Sequence, residues 1–196
     1  IEAGGHVHGR TPALALAREI LDRTELPVVV SGGIATGAGL AAALESKASG
    51  VQCGTAFLAT EESFAYRYYK SRVVSATGED TVLTDVFVLN WPAGAAVRLI
   101  SNSVTDGLNG RFLGHDPENL QREVIAWDGD HPRLRFSTDS PLRTTSGDLE
   151  PMALYAGRGV GAILDTPSAA VRLTEMVTNA AHLLESSYRT ICEAVS

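Results

Sequence analysis

The chain has 196 residues, 44% of them hydrophobic and 20% charged, enough to bury a real core in one domain or one domain with an appendage. Its formal charge of −7, with no run of Lys and Arg, argues against the phosphate neutralisation on which nonspecific nucleic-acid binding depends. No apolar run approaches the roughly 20 residues of a membrane helix, and Cys53 and Cys192 lack the CxxC spacing of a disulfide framework or thiolate metal site, which suits two buried thiols in a reducing, cytoplasmic setting.

In chain order, EAGGH (residues 2–6) is a glycine-bearing loop, and TPALALAREILDR (11–23) has helical spacing behind a Thr11 cap and a first-turn Pro12. PVVVSGG (27–33) is a β-branched run with the pattern of a parallel strand buried on both faces. A second helix, capped by Thr36, runs through GAGLAAALESK until Gly50 ends it, and GVQCGTAF (50–57) is another strand. EESFAYRYYKSRVVSA (61–76) reads as a third helix with acids in its first turn. This alternation predicts an α/β protein with a parallel sheet or barrel.

After residue 79 the pattern changes. EDTVLTDVFVLNW is strand-like, AGAAVRLISNSV is a strand or short helix, and residues 105–150 lack periodicity, as a lid, binding loop or solvated excursion would. Residues 168–195 form a long amphipathic helix or helix pair after Pro167. The chain divides into three regions: strand–helix units at 1–78, an excursion with lid-like character at 79–167, and a C-terminal helix at 168–196.

Three glycine-bearing loops, EAGGH, SGGIATG (31–37) and CGTAF (53–57), would share one rim of a parallel sheet, where ligands bind. Glycine lets backbone N–H groups approach an anion, so the rim suits a phosphate, although neither the Walker nor the GxGxxG spacing is present. His6 can serve as a base near neutral pH. His8 reads as a rim or surface residue, and no third ligand stands at the spacing that a two-histidine metal site would need.

EAGGH, PVVVSGGIATGAGLAAAL and GVQCGTAFLATEES, followed by DTVLTDVFVLNWPAGAAVRLISNS and MALYAGRGVG, resemble in order and spacing the nitronate monooxygenases, formerly called 2-nitropropane dioxygenases. The resemblance implies an FMN-dependent flavoprotein on a (β/α)8 TIM barrel, with this chain forming its C-terminal part and an added irregular and helical region. His6 would be the base that removes the proton α to a nitro group. Ala3, Gly4 and Gly5 would line the flavin, Ser31, Gly32 and Gly33 would hold its phosphate, and Gly54 and Thr55 would complete that site. The implied reaction takes an alkyl nitronate and O2 to a carbonyl compound and nitrite. Arg158 stands where the family often has Gln, which places a cation near the substrate mouth.

The family's barrel has about eight strands, and this chain supplies roughly the last two and the end of a third. The expectation is that residues 1–196 alone are inactive, and that an N-terminal half or another polypeptide, including a second copy, completes the barrel. Three other readings compete: a flavin-dependent enoyl-ACP reductase, marked by fast bleaching with NADH; an inactive fragment without flavin; and a sugar-phosphate isomerase or aldolase. The last is disfavoured because no Lys sits at a strand end to form a Schiff base.

Overall fold

The computed structural model describes residues 1–7 and 9–195, without the side chains of 191 and 193–195. His8, expected at the rim or surface, lies outside them. The fold is mixed α/β. β1 (Gly5–His6) leads to α1 (Ala13–Leu21), β2 (Val29–Ser31), α2 (Gly37–Glu45) and β3 (Gly50–Gln52). β2 and β3 are parallel, with Val29 opposite Gly50 and Ser31 opposite Gln52, so α2 is a crossover between parallel strands. Ala17, Val30, Ile34, Ala43 and Ala48 form the core beneath this unit.

Several local expectations change here. Val30 is 4% exposed but Val29 is 59% exposed, so β2 is covered on one face and not both, because the described helices pack on one side only. Thr11 does not cap α1; Pro12 occupies the cap position without a side-chain bond, and the Ala13 N–H donates instead to Glu2 Oε2 at 2.8 Å. A carboxylate brought from eleven residues earlier thus does the work that sequence assigned to a neighbour. Thr36 does cap α2, accepting from the Gly39 N–H at 3.2 Å. The helix stops at Glu45, where Lys47 turns the chain with φ +68°, and Gly50 opens β3 rather than ending α2.

β3 is also shorter than GVQCGTAF, giving way to the single turn α3 (Thr55–Leu58). The next helix, α4 (Arg67–Ser75), begins well after the acids predicted for its first turn. The intervening backbone is drawn off to other partners: Ala65 bridges Leu142, and Glu62 Oε2 accepts the N–H of Ala169, the first residue of the C-terminal helix α6 (Ala169–Val195). α6 is one continuous helix, and its first half packs closely on α2, where a Cβ on Gly37 would meet Asn179 Oδ1 and Met176 O at 2.6 Å.

β4 (Thr81–Thr84) and β5 (Val97–Ile100) are antiparallel, and β1 joins the other edge of β5, pairing Gly5 with Arg98 and His6 with Val97. EAGGH is therefore partly a strand and not only a loop. After β4 the chain leaves the sheet, yet Val86, Phe87 and Val88 are at most 1% exposed; burial, not strand pairing, is what VFV encodes. α5 (Ser103–Asp106) is tied down by Asn102, whose Oδ1 accepts from Val104 and Thr105 while its Nδ2 donates to Glu150 O at 3.0 Å and Met152 O at 2.9 Å. Residues 105–150, without visible periodicity, contain a small antiparallel sheet of β6 (Val124–Asp128), β7 (His131–Leu134) and β8 (Thr145–Gly147), in the order β7-β6-β8. Neither cysteine is fully buried: Cys53 is half-buried where β3 runs out, packed against the core on both sides, and Cys192 is exposed on α6.

Three stretches of backbone cross at near contact. Arg158 N–H donates to Glu2 O at 2.9 Å, and Gly157 N–H donates to Thr55 Oγ1 at 3.0 Å. A Cβ on Gly159 would lie 2.3 Å from Gly33 O, one on Gly157 2.7 Å from Glu2 O, and one on Gly4 2.7 Å from the Gly157 nitrogen. The GRGVG segment thus pins residues 2–5 against residues 32–33.

Two outcomes follow. Gly159→Ala is expected to cost about 2 kcal/mol or more in denaturant unfolding, because its methyl meets backbone that cannot swing aside; Gly50→Ala, with nothing within 4 Å of its Cβ, is expected to stay within about 1 kcal/mol. The second concerns Asp85. Burial opposes its ionisation, but the Gly114 N–H, the His115 side chain at 2.6 Å and the His115 N–H outweigh that and hold its carboxyl below the ordinary pKa of 3.8. Its stabilisation is present above about pH 3.8 and is lost as pH falls through the lower folded value. Stability measured against pH is expected to lose part of its acid limb in Asp85→Asn.

Candidate active site

The crossing leaves a cavity of about 330 Å³ on its open side. Ala3, Gly4, Gly5, Ser31, Gly32, Gly33, Gly54 and Thr55, the residues singled out in three separate loops, all line it. They converge because β2 and β3 are parallel neighbours whose carboxyl ends, Ser31 and Gln52, lie side by side, and because the Gly157–Gly159 backbone holds residues 3–5 next to them.

The chemistry of this rim is set by unsatisfied donors. Among the described residues, no turn, loop or side-chain hydrogen bond engages the backbone N–H of Gly32, Gly33, Gly54 or Thr55. Thr55 Oγ1 already accepts from Gly157, so its hydroxyl proton is available to donate. Gly54 has no packing reason to be glycine: its φ is −89° and a Cβ added to it would meet nothing within 4 Å. Open space beside a glycine of ordinary conformation is where another molecule can approach the backbone. Oriented N–H groups around an open cavity form a site for an anionic oxygen.

His6 is not in the cavity wall itself. Its imidazole lies beside Tyr155, which is, with ring centroids 6.1 Å apart, and under Trp91 at 4.1 Å. Tyr155 donates its hydroxyl to Thr138 O at 2.8 Å, and burial raises its pKa well above the ordinary phenol value, so it is neutral at physiological pH. Burial also pushes up the Cys53 thiol next to Gly54, which keeps it from acting as a thiolate nucleophile. Arg98, opposite Gly5, is 7% exposed and donates to Ile1 O, Thr81 Oγ1 and Thr81 O. Arg158 turns outward, reaching Glu79 at 3.8 Å; the Gly residues on either side of it, rather than its guanidinium, face the cavity.

Sequence reasoning missed Gln52, Leu58, Tyr155, Gly157 and Gly159 in the wall. The glycines had a visible signal in AGRGVG. Tyr155 had none beyond standing next to that motif, since its place depends on residues 152–156 running alongside β5, with Leu99 bridging Tyr155. Among the described residues, no group of three or more His, Cys, Asp or Glu side chains is placed to hold a metal ion, and no helix is long and apolar enough to cross a membrane.

The family model described as nitronate monooxygenase matches residues 1–179. A probable nitronate monooxygenase of Staphylococcus haemolyticus is 34% identical over 164 residues, which cover 69% of this chain and 44% of that protein. One from Staphylococcus saprophyticus is 36% identical over 155 residues, covering 68% of this chain and 44% of the relative. Among solved structures, FabK from Thermotoga maritima superposes with a TM-score of 0.72 at 24% identity, covering 96% of this chain and 55% of that one. The nitroalkane oxidase of Streptomyces ansochromogenes superposes with a TM-score of 0.68 at 24% identity, covering 96% of this chain and 51% of its own. The chain spans less than half the length of these curated relatives and about half that of the solved structures. With the family's sequence pattern matched from residue 1 to residue 179, the chain belongs to the nitronate monooxygenase family.

Proposed function

We propose that this chain supplies the phosphate-binding rim and the proton-accepting histidine of an FMN-dependent oxidoreductase that converts alkyl nitronates and O2 to a carbonyl compound and nitrite. In this reading the parallel β2–α2–β3 unit is part of the C-terminal portion of a (β/α)8 barrel. Further polypeptide, from the same protein or a second copy, covers the outward face that carries Val29 and Leu26, 59% and 74% exposed. The observation that carries the proposal is the convergence of Ser31, Gly32, Gly33, Gly54 and Thr55 on one cavity, with four backbone N–H groups that no turn, loop or side-chain hydrogen bond engages among the described residues.

These residues fit the phosphate end of a flavin mononucleotide. The N–H groups of Gly32, Gly33, Gly54 and Thr55 and the Thr55 hydroxyl would hold phosphate oxygens, and Ala3, Gly4 and Gly5 present little side chain, leaving room for a flat ring system. FMN, when bound, supplies the redox chemistry with substrate and O2. The chain itself contributes a base and a dry setting for it. His6 takes the proton from the carbon next to the nitro group, and Trp91 and Tyr155 flank its ring and limit the access of water. Proton removal leaves the substrate as its nitronate anion, the electron-rich form that is oxidised. The fold likeness to FabK keeps a flavin-dependent enoyl reductase as the second reading, and rapid bleaching of bound flavin by NADH would favour it.

Two measurements test the proposal in the flavin-loaded protein. His6→Asn is expected to lower turnover of neutral nitroalkanes by roughly 10²-fold or more, the usual contribution of a general base. Preformed nitronate, which needs no deprotonation, is expected to lose much less; equal losses would contradict a proton-accepting role. Gly54→Val is expected to raise the Kd for FMN at least about tenfold, on the scale of one or two lost phosphate contacts, with little change in Tm of the flavin-free protein.

A further inference from the structure

We infer that Trp91 is a positioning residue for His6, one jaw of an aromatic clamp whose other jaw is Tyr155. The inference rests on the reading of His6 as the proton acceptor. Trp91 is 46% exposed, unlike the buried Val86, Phe87 and Val88 just before it in the segment between β4 and β5, yet its ring lies over the His6 imidazole with centroids 4.1 Å apart and planes inclined by 35°. Tyr155 approaches the same imidazole at 6.1 Å and 40°.

What makes the arrangement a built one is the circuit behind it. Val88 N–H donates to Phe136 O at 2.8 Å, and Trp91 N–H donates back to Val88 O at 3.1 Å, closing a turn that presents the indole. Asn90, next to Trp91, accepts on Oδ1 from the Thr138 N–H at 2.7 Å and the Thr138 hydroxyl at 2.8 Å. Thr138 O in turn accepts from the Tyr155 hydroxyl at 2.8 Å, and Tyr155 O accepts from the Tyr69 hydroxyl at 2.6 Å. Tyr155 and Asn90, the residue before Trp91, are therefore both fastened to residue 138, so the gap that holds the imidazole is set by hydrogen bonds and not by contact with His6 alone.

The clamp does two things. It sets the plane of the imidazole, so that its nitrogen meets the substrate proton in one geometry. It also favours the state His6 enters on taking that proton, because a cation within about 6 Å of an indole centroid is attracted to the ring face. Tyr155 is kept neutral by burial, and Asp139, near Tyr155, is ion-paired to Arg133 at 3.2 Å. Arg98 on β5 spends its guanidinium on Ile1 O and Thr81.

The clamp can be read without turnover. The chain has two tryptophans, Trp91 and Trp127, so in a Trp127→Phe background the emission of the flavin-free protein reports Trp91 alone. An imidazolium quenches an indole in contact with it more strongly than imidazole does. Emission is expected to fall on acidification with a single titration that vanishes in His6→Asn; emission without that titration, or with one that survives in His6→Asn, overturns the clamp. In turnover, Trp91→Leu is expected to lower kcat about three- to thirtyfold with KM little changed, and Trp91→Phe to recover most of it. A change confined to KM would also overturn the inference. A His6-dependent titration of Trp91 emission without any nitronate turnover would leave the clamp standing and contradict the functional reading instead.

Discussion

The site depends on one backbone crossing. Where Gly157 and Gly159 pass over Glu2, Gly4 and Gly33, three segments distant in sequence come within distances that no side chain permits. Two hydrogen bonds fasten it, Arg158 N–H to Glu2 O and Gly157 N–H to Thr55 Oγ1. The second has a consequence for chemistry, because it fixes the Thr55 hydroxyl as an acceptor on one side and leaves its proton directed elsewhere. The first places Glu2 so that its carboxylate can cap α1. Fold and site are built from the same contact, which explains why glycines cluster in AGG, SGG and GRG; Gly54, outside these clusters, stands beside open space instead.

The rim was legible in the sequence for a physical reason. A glycine after a short β-branched run marks the end of a parallel strand, and Ser31, Gly32, Gly33, Gly54 and Thr55 each carry that local signature. Parallel neighbours then bring those ends together without further information, as Ser31 opposite Gln52 shows. Helix α2 was legible because its cap is local: Thr36 reaches only to Gly39.

What the sequence hid was settled by distant partners. The cap of α1 comes from Glu2 and that of α6 from Glu62, a separation of over one hundred residues in the second case. The helix expected at residue 61 starts at Arg67, since Phe64 to Tyr66 are committed to the 141–143 segment through Tyr66 N–H to Pro141 O and Arg143 N–H to Phe64 O. The small sheet of β6, β7 and β8 escaped because its strands are short and largely exposed, so alternation is weak; only the two-residue link Gly129–Asp130 between Asp128 and His131 signalled a hairpin. Tyr155 and Trp91 escaped for a different reason. Nothing in the neighbourhood of an aromatic residue states which histidine it will stack on, and here the answer is held by Asn90 and Thr138.

In the proposed reading rim and clamp divide the work of the site: backbone donors at the strand ends for an anionic group, and the imidazole beside Tyr155, itself a wall residue, for a proton. The central claim is that the donors of residues 32–33 and 54–55 hold the phosphate of a flavin. A crystal structure of the protein with FMN tests it most directly. The account predicts phosphate oxygens within hydrogen-bond distance, about 2.7 to 3.2 Å, of backbone nitrogens from both pairs. FMN bound with its phosphate away from both would contradict it.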